Sequence, residues 1–496
     1  MSDVLNIIKD KTLTFEQRVI ALARAAENSI NVLGITEDIQ KYRDNGVICD
    51  LFEGNAPYRP RYIVPDYNKF MEKGSEFLKL QPPTDIWEAV NNLLILYKHV
   101  PSITTFPVYI GNIDKLLEPF VNDEEEAYKA IKFFMLHIDR TITDSFCHAN
   151  IGPEKTKAGE IILRVQRELE VPIPNITIKY DEEITPNDFA IDAINTALIT
   201  AKPSFANHKM FTKDLEDYGI ASCYNGLKIG GGAHTLVRLN FGRLVDYAES
   251  KEHFMNELFP DAVDKMLKYI DMRINFLVEE SGFFDNHFLV KEGLINPDNF
   301  TAMFGEVGIA DCVNKLLKCE KLEEKFGHSE VATDFGVEII EKLNKMVNSH
   351  YNKHCKFTEG KFMLHAQVGI DTDNGIAPGC RIPIGDEPEI FEHLNVCAKF
   401  HKYFPSGIGD IFSFDTTVKK NPQYILDIIK GSFKIGVRYF SPYASDCDVI
   451  RITGYLVKKS EIEKIEKGEA VLRDTTVLGA GAAKNQRILE RKTRNK

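Results

Sequence analysis

Apolar positions fall into two textures along the chain. Up to about residue 170 they recur at helical spacing: Val19, Ile20, Leu22 and Ala25, then Ile86, Val90, Leu93, Leu94 and Tyr97, then Tyr128, Ile131, Phe134 and Met135. Each stripe follows a start signal. Thr14 with Gln17 three residues on reads as a capping box, and Thr84 and Asn122, the latter with Glu125, cap the next two. These predict outer helices with one apolar face against a core. Beyond residue 170, short β-rich runs alternate with helices. Strands are expected over 176–180, 362–368 and 434–440. A helix is expected after Pro186, with Phe189, Ile191, Ile194, Ala197 and Leu198 inward, and another over roughly 244–279. The alternation predicts an α/β architecture. With no internal repeat, low-complexity segment or Pro/Ser-rich linker, one large domain is expected.

Composition narrows the partners. The 496 residues are 44% hydrophobic and 27% charged, with a net charge of −12, as in an ordinary globular protein. That acidity disfavours nucleic-acid phosphate as the main partner, and the one basic cluster, residues 487–496, reads as a solvated tail. Charge in the first ten residues argues against a signal peptide, and no apolar run approaches the roughly 20 residues of a membrane span. A cytoplasmic protein is expected, with no membrane contact. The nine cysteines include no C-x-x-C pair, so no zinc ribbon or iron–sulfur site is spelled out.

Two motifs carry candidate chemistry. The first is Val449-Ile-Arg-Ile-Thr-Gly-Tyr455, near the C-terminus. A glycine amid β-branched residues marks a bulge or turn. It also has a property no other residue shares: its α-carbon becomes planar on losing hydrogen, and the unpaired electron spreads over both flanking amides without a side chain crowding the plane. The second is Tyr218-Gly-Ile-Ala-Ser-Cys-Tyr-Asn-Gly226 and its continuation through Gly230, Gly231, Gly232 and Ala233 to His234. Such glycine density suits a tight loop threading a crowded interior.

Arg451-Ile-Thr-Gly-Tyr455 resembles the arginine–x–x–glycine–tyrosine signature of glycyl radical enzymes, with Cys223 upstream in the order that family uses. His148-Ala-Asn-Ile-Gly-Pro153, Pro172-Ile-Pro-Asn-Ile-Thr-Ile178, the triple-glycine loop through His234, and Gly375-Ile-Ala-Pro-Gly379 are similar to the YjjI-type members over nearly the whole chain. The resemblance implies an α/β, ten-stranded barrel with surrounding helices and two central finger loops. Residues 1–430 would form the helical region and the barrel with the cysteine loop, and residues 431–496 the glycine segment and tail, as one cooperative unit. It implies a stored radical at Gly454, a thiyl radical at Cys223 and a small-molecule substrate whose hydrogen Cys223 removes, with C–C or C–O cleavage as the reaction. No cofactor is expected in the chain. A separate activating enzyme carrying S-adenosylmethionine and an iron–sulfur cluster would install the radical on a glycine loop that swings out to meet it. A homodimer is open.

Departures from the family's familiar reactions matter. Dehydratases and lyases place glutamate two residues after the thiyl cysteine, where this chain has Asn225, which exchanges no proton near neutral pH. Tyr224 follows Cys223, so no adjacent-cysteine relay exists, and only Cys447 lies near Gly454. Acid–base candidates are His365, Asp371, Asp373, Glu306 and His234, and substrate-binding candidates are Asn225, His234 and Arg438. Arg451 and Arg438 also suit pairing with protein acids. Two other readings stay open: an anaerobic ribonucleotide reductase-like enzyme, and a non-catalytic partner that carries a radical. Set aside are a dinucleotide loop at Ile229-Gly-Gly-Gly-Ala233, a P-loop at Gly479-Ala-Gly-Ala-Ala-Lys484, a calcium loop at Asp371-Thr-Asp-Asn-Gly375 and a metal pair at His350 and His354.

Overall fold

The computed structural model describes residues 2–366, 370 and 372–494. In chain order its strands are β1 (Ile48–Cys49), β2 (Tyr62–Val64), β3 (His148–Ile151), β4 (Asn175–Tyr180), β5 (Ser204–Asn207), β6 (Tyr218–Ala221), β7 (Asn225–Lys228), β8 (Gly231–Asn240), β9 (Phe300–Val307), β10 (Met363–Ala366), β11 (Asp410–Phe414), β12 (Tyr439–Ala444), β13 (Val449–Arg451), β14 (Leu456–Lys458) and β15 (Thr493–Arg494). Two sheets form the barrel walls. One runs β1-β8-β9-β10 with β2 also on β8, and the other runs β15-β11-β12-β5-β4-β3. Pairs joined through helices are parallel (β8 with β9, β9 with β10, β3 with β4, β4 with β5), as crossover connections require. The sheets approach at a seam where the Ala366 amide donates to the Gly407 carbonyl at 3.1 Å, three residues before β11.

Two hairpins stand apart from the walls, β6–β7 with Cys223 at its tip and β13–β14 with Gly454 at its tip. They are the expected finger loops. Wall strands such as β3, β4, β8 and β9 are buried at every position, consistent with helices outside and packed loops inside. Finger residues Ile220, Cys223, Ile450, Ile452 and Tyr455 belong to the same apolar cluster as the helical stripes Leu93–Tyr97 and Ile131–Ile138 contribute to, so the glycine segment packs into the main core. Among the described residues, no helix is long and apolar enough to cross a membrane.

Most predicted elements form, with shifted ends. The Thr14–Gln17 capping box is complete. The second helix is capped by Asp85 rather than Thr84, because the Asp85 carboxylate accepts the Glu88 amide at 2.8 Å while Thr84 bonds the Glu88 side chain. Asp123, not Asn122, caps the third by accepting the Glu126 amide. The strand expected over 434–440 starts only at Tyr439: Ile425, Leu426, Ile428 and Ile429 carry a helix to Lys434, and Gly436, at φ +101°, turns the chain. The triple glycine opens β8 rather than the cysteine loop, with Gly232 lying where the Tyr62 carbonyl crosses too closely for a side chain.

Candidate active site

Gly454 and Cys223 meet at the centre. A Cβ built on Gly454 would lie 2.0 Å from the Cys223 Cβ and 2.7 Å from its Sγ. No side chain fits there, and the glycine hydrogen in the L-side-chain position (pro-S) points at the cysteine. Each hairpin is held at its tip. The Gly454 carbonyl accepts the Asn175 amide at 2.9 Å and lies 3.5 Å from an Arg451 nitrogen. Arg451 in turn donates to the Asn175 side-chain oxygen and the Ala201 carbonyl. Its partners are thus neutral oxygens rather than the acids expected, and burial pushes this guanidinium down to about 10. The asparagine of the Pro172-Ile-Pro-Asn segment is therefore a clamp on Gly454.

The cysteine tip is strained and braced. Ser222 sits at φ 56°, a left-handed conformation uncommon for a side-chain-bearing residue. Its amide donates to Val108, and His148 Nδ1 donates to its carbonyl at 2.7 Å. The other His148 nitrogen faces Thr177, whose oxygen lies 2.6 Å from the Tyr439 hydroxyl, itself 3.4 Å from the Cys223 carbonyl. Burial holds His148 neutral, down to about 3. Gly407, at φ +130°, lets the chain pass against the Tyr224 carbonyl, which a Cβ there would meet at 2.3 Å. Burial pushes the Cys223 thiol up to about 12. It is therefore a thiol near neutral pH, suited to giving and taking a hydrogen atom rather than to attack as thiolate.

A cavity of about 130 Å³ reaches this thiol. Cys223, Asn225 and His365 line it with Arg61, Tyr62 and Tyr455. His365 and Asn225 are thus brought together with Cys223. His365 Nδ1 faces the Ser406 carbonyl at 3.3 Å, its ring stacks on Tyr224, and burial holds it neutral, down to about 3. The other candidates lie elsewhere. Glu306 is wholly buried in β9, where one oxygen accepts the Cys380 thiol, the other has no partner among the described residues, and burial pushes the acid up to about 8. Asp373 is held by Arg238 and Asn240, His234 packs among Phe284 and Phe300 with Nε2 on the His354 carbonyl, and Arg438 pairs with Asp214. Asp371 lies outside the described residues.

Sequence reasoning missed Arg61 and Tyr62, which carry no motif and reach the cavity only through β2. It also left Gly479 unexplained. A Cβ there would lie 3.0 to 3.2 Å from Val457 and Tyr455, so the small-residue helix Asp474–Asn485 lies close over the glycine hairpin. His350 lies 2.9 Å from Asp271 and His354 3.0 Å from Glu279, so the two rings face separate carboxylates. One buried donor trio exists among the described residues, His393, Cys397 and Asp410. Arg494 donates to His393 Nδ1, which leaves Nε2 protonated toward Asp410 at 2.8 Å, so the trio is a hydrogen-bonded anchor for β15.

The family model for the YjjI-like glycyl radical enzymes matches residues 13–494. The chain belongs to that family. A YjjI-like relative, an uncharacterized protein of Haemophilus influenzae, is 48% identical over all of this chain and 98% of its own length. Uncharacterized protein YjjI of Escherichia coli K12 is 43% identical over 98% of this chain and 95% of that one. Among solved structures, an anaerobic ribonucleotide reductase superposes with a TM-score of 0.69 at 12% identity, covering 91% of this chain and 86% of that one. The YjjI-like fold is thus the glycyl radical enzyme barrel, and members of this superfamily carry a glycyl radical installed by a radical S-adenosylmethionine activase.

Proposed function

We propose that this protein uses Gly454 to store a radical and Cys223 to deliver it to a small molecule in the adjoining cavity. The observation that carries the reading is the contact itself: the glycine hydrogen aimed at Cys223, with only van der Waals space between. An activase, using S-adenosylmethionine reduced by one electron at its iron–sulfur cluster, removes one hydrogen atom from the Gly454 α-carbon. The Gly454 radical then takes the hydrogen atom of the Cys223 S–H bond, leaving a C–H bond on glycine and a thiyl radical on sulfur. The thiyl takes a hydrogen atom from a substrate C–H bond, restoring the thiol and leaving a substrate radical. That radical breaks a neighbouring C–C or C–O bond, a lyase-type outcome, and the product radical recovers hydrogen from Cys223.

Proton transfer at the substrate falls to His365, the neutral imidazole on the cavity wall, with Nε2 as the free lone pair when Nδ1–H faces Ser406. Asn225 occupies the place of a general base without its chemistry, and serves as a hydrogen-bonding group to substrate. Cys223→Ser tests the division of labour. After activation it is expected to hold wild-type glycyl spin while consuming none of the small metabolites of an anaerobic extract that the wild type consumes. Equal consumption by the variant would remove Cys223 from the reaction.

A further inference from the structure

The lining of the cavity includes an unusual cation. Arg61 is 8% exposed, yet among the described residues its Nε has no partner and its only acid is Glu53, 3.1 Å from one terminal nitrogen. That carboxylate is already heavily committed. Its other oxygen accepts Arg273 twice, at 2.7 and 3.1 Å, and the Thr235 hydroxyl at 2.6 Å, while the first also accepts the Leu236 amide. Among the described residues Asp50 is the only other acid against Arg273, at 3.7 Å, and it is shared with Arg43. Three arginines therefore meet two carboxylates, and the unbalanced positive charge belongs to the one facing the cavity. A buried guanidinium with an orphaned donor is costly unless something pairs with it. Arg61 lines the same cavity as Cys223.

We infer that Arg61 is the anchor for a carboxylate on the substrate, so that the molecule Cys223 attacks is a small organic acid. This deepens the proposed radical reaction and rests on it only for the attack. The planar fork of arginine suits a carboxylate, and a cavity of about 130 Å³ suits a metabolite of about half a dozen heavy atoms. Arg61 itself reaches the Asp50 and Leu51 carbonyls only at 3.4 Å. The other cations near Cys223, Arg381 and Arg451, act in the same direction on the thiol, but among the described residues Arg61 and Arg24 are the arginines that line the cavity. Acids that bear on the cavity are Asp144, which burial pushes up to about 6, and the half-buried Asp474, with exposed Arg24 beside them.

The test uses the full, unactivated protein and two reagents of equal reach, iodoacetate and iodoacetamide, with peptide mass mapping of each cysteine. Exposed Cys319 is the internal reference. If Arg61 draws carboxylates to the thiol, the iodoacetate-to-iodoacetamide rate ratio at Cys223, relative to Cys319, should be about tenfold or more in the wild type. It should fall to about one or below in Arg61→Gln and recover in part in Arg61→Lys, with circular dichroism and melting confirming folded protein. A wild-type ratio of one or less, or a ratio that Arg61→Gln leaves unchanged, would each overturn the inference. Because no radical is involved, a failure here is distinct from a failure of the glycyl radical reading.

Discussion

At the scale of single residues, burial sets the protonation states. Cys223 keeps its proton and His365 and His148 stay neutral, with a single N–H each, near neutral pH, because water is excluded from around them. Glu306 shows the cost of such exclusion. Its folded-state value, pushed up to about 8, lies above that of an unfolded glutamate. Between about pH 4.5 and 8 the unfolded chain therefore binds fewer protons at this site, and the native state loses stability as pH rises. Glu306→Gln removes the site. Its unfolding free energy relative to wild type should rise from pH 5 to pH 8 by an amount on the order of a few kcal/mol, read from urea melts at each pH. A difference independent of pH would mean that Glu306 is ionised in the folded protein. Gly454 and Cys223, which the fold brings into contact, were legible in the sequence through their motifs. Arg61 was not, because its significance lies in which carboxylates it shares.

At the scale of elements, the two hairpins are held differently. The cysteine hairpin is braced from three sides by Val108, His148 and the Ser406–Gly407 turn, to which the Gly226 amide donates at Ser406. The glycine hairpin has short strands, Val449–Arg451 and Leu456–Lys458, and its tip hangs on Asn175 and Arg451. Asn175→Ala leaves the buried Gly454 carbonyl with only the long Arg451 contact, a loss of about 1–3 kcal/mol. Amide hydrogen exchange over residues 449–458 should accelerate by roughly tenfold or more, with β3 and β4 nearby little changed. Unaltered exchange would show that Asn175 does not clamp the loop. Helical periodicity and the strand at residues 175–180 were readable from apolar spacing. Caps shifted by one residue where Asp85 and Asp123 offer a carboxylate in place of Thr84 and Asn122. The helix ending at Lys434 outran its expected strand because its apolar stripe continues past the turn of Ser432.

At the scale of the whole molecule, two sheets, an outer coat of helices and two inward hairpins place one glycine against one cysteine across 231 residues of sequence. The C-terminal segment returns to the walls at β15, where Arg494 reaches His393 and the Pro388 carbonyl, so the glycine hairpin is anchored on both sides. The glycine–alanine helix Asp474–Asn485 closes over it, and the Gln17 side chain of the N-terminal helix donates to the Val471 carbonyl just before that helix. Exposure of Gly454 to an activase requires this cover to lift. The sequence carried the finger motifs and their order. It did not show the cover, since small residues in a helix read as composition until the surface they lie on is known.

The most direct test of the account is anaerobic electron paramagnetic resonance after treatment with the activase, S-adenosylmethionine and a reductant, followed by admission of air and a mass measurement. A glycyl doublet is expected in the wild type, none in Gly454→Ala, and chain scission at residue 454 once oxygen enters. A competent activase that yields neither spin nor scission in the wild type, or equal spin in Gly454→Ala, would contradict it.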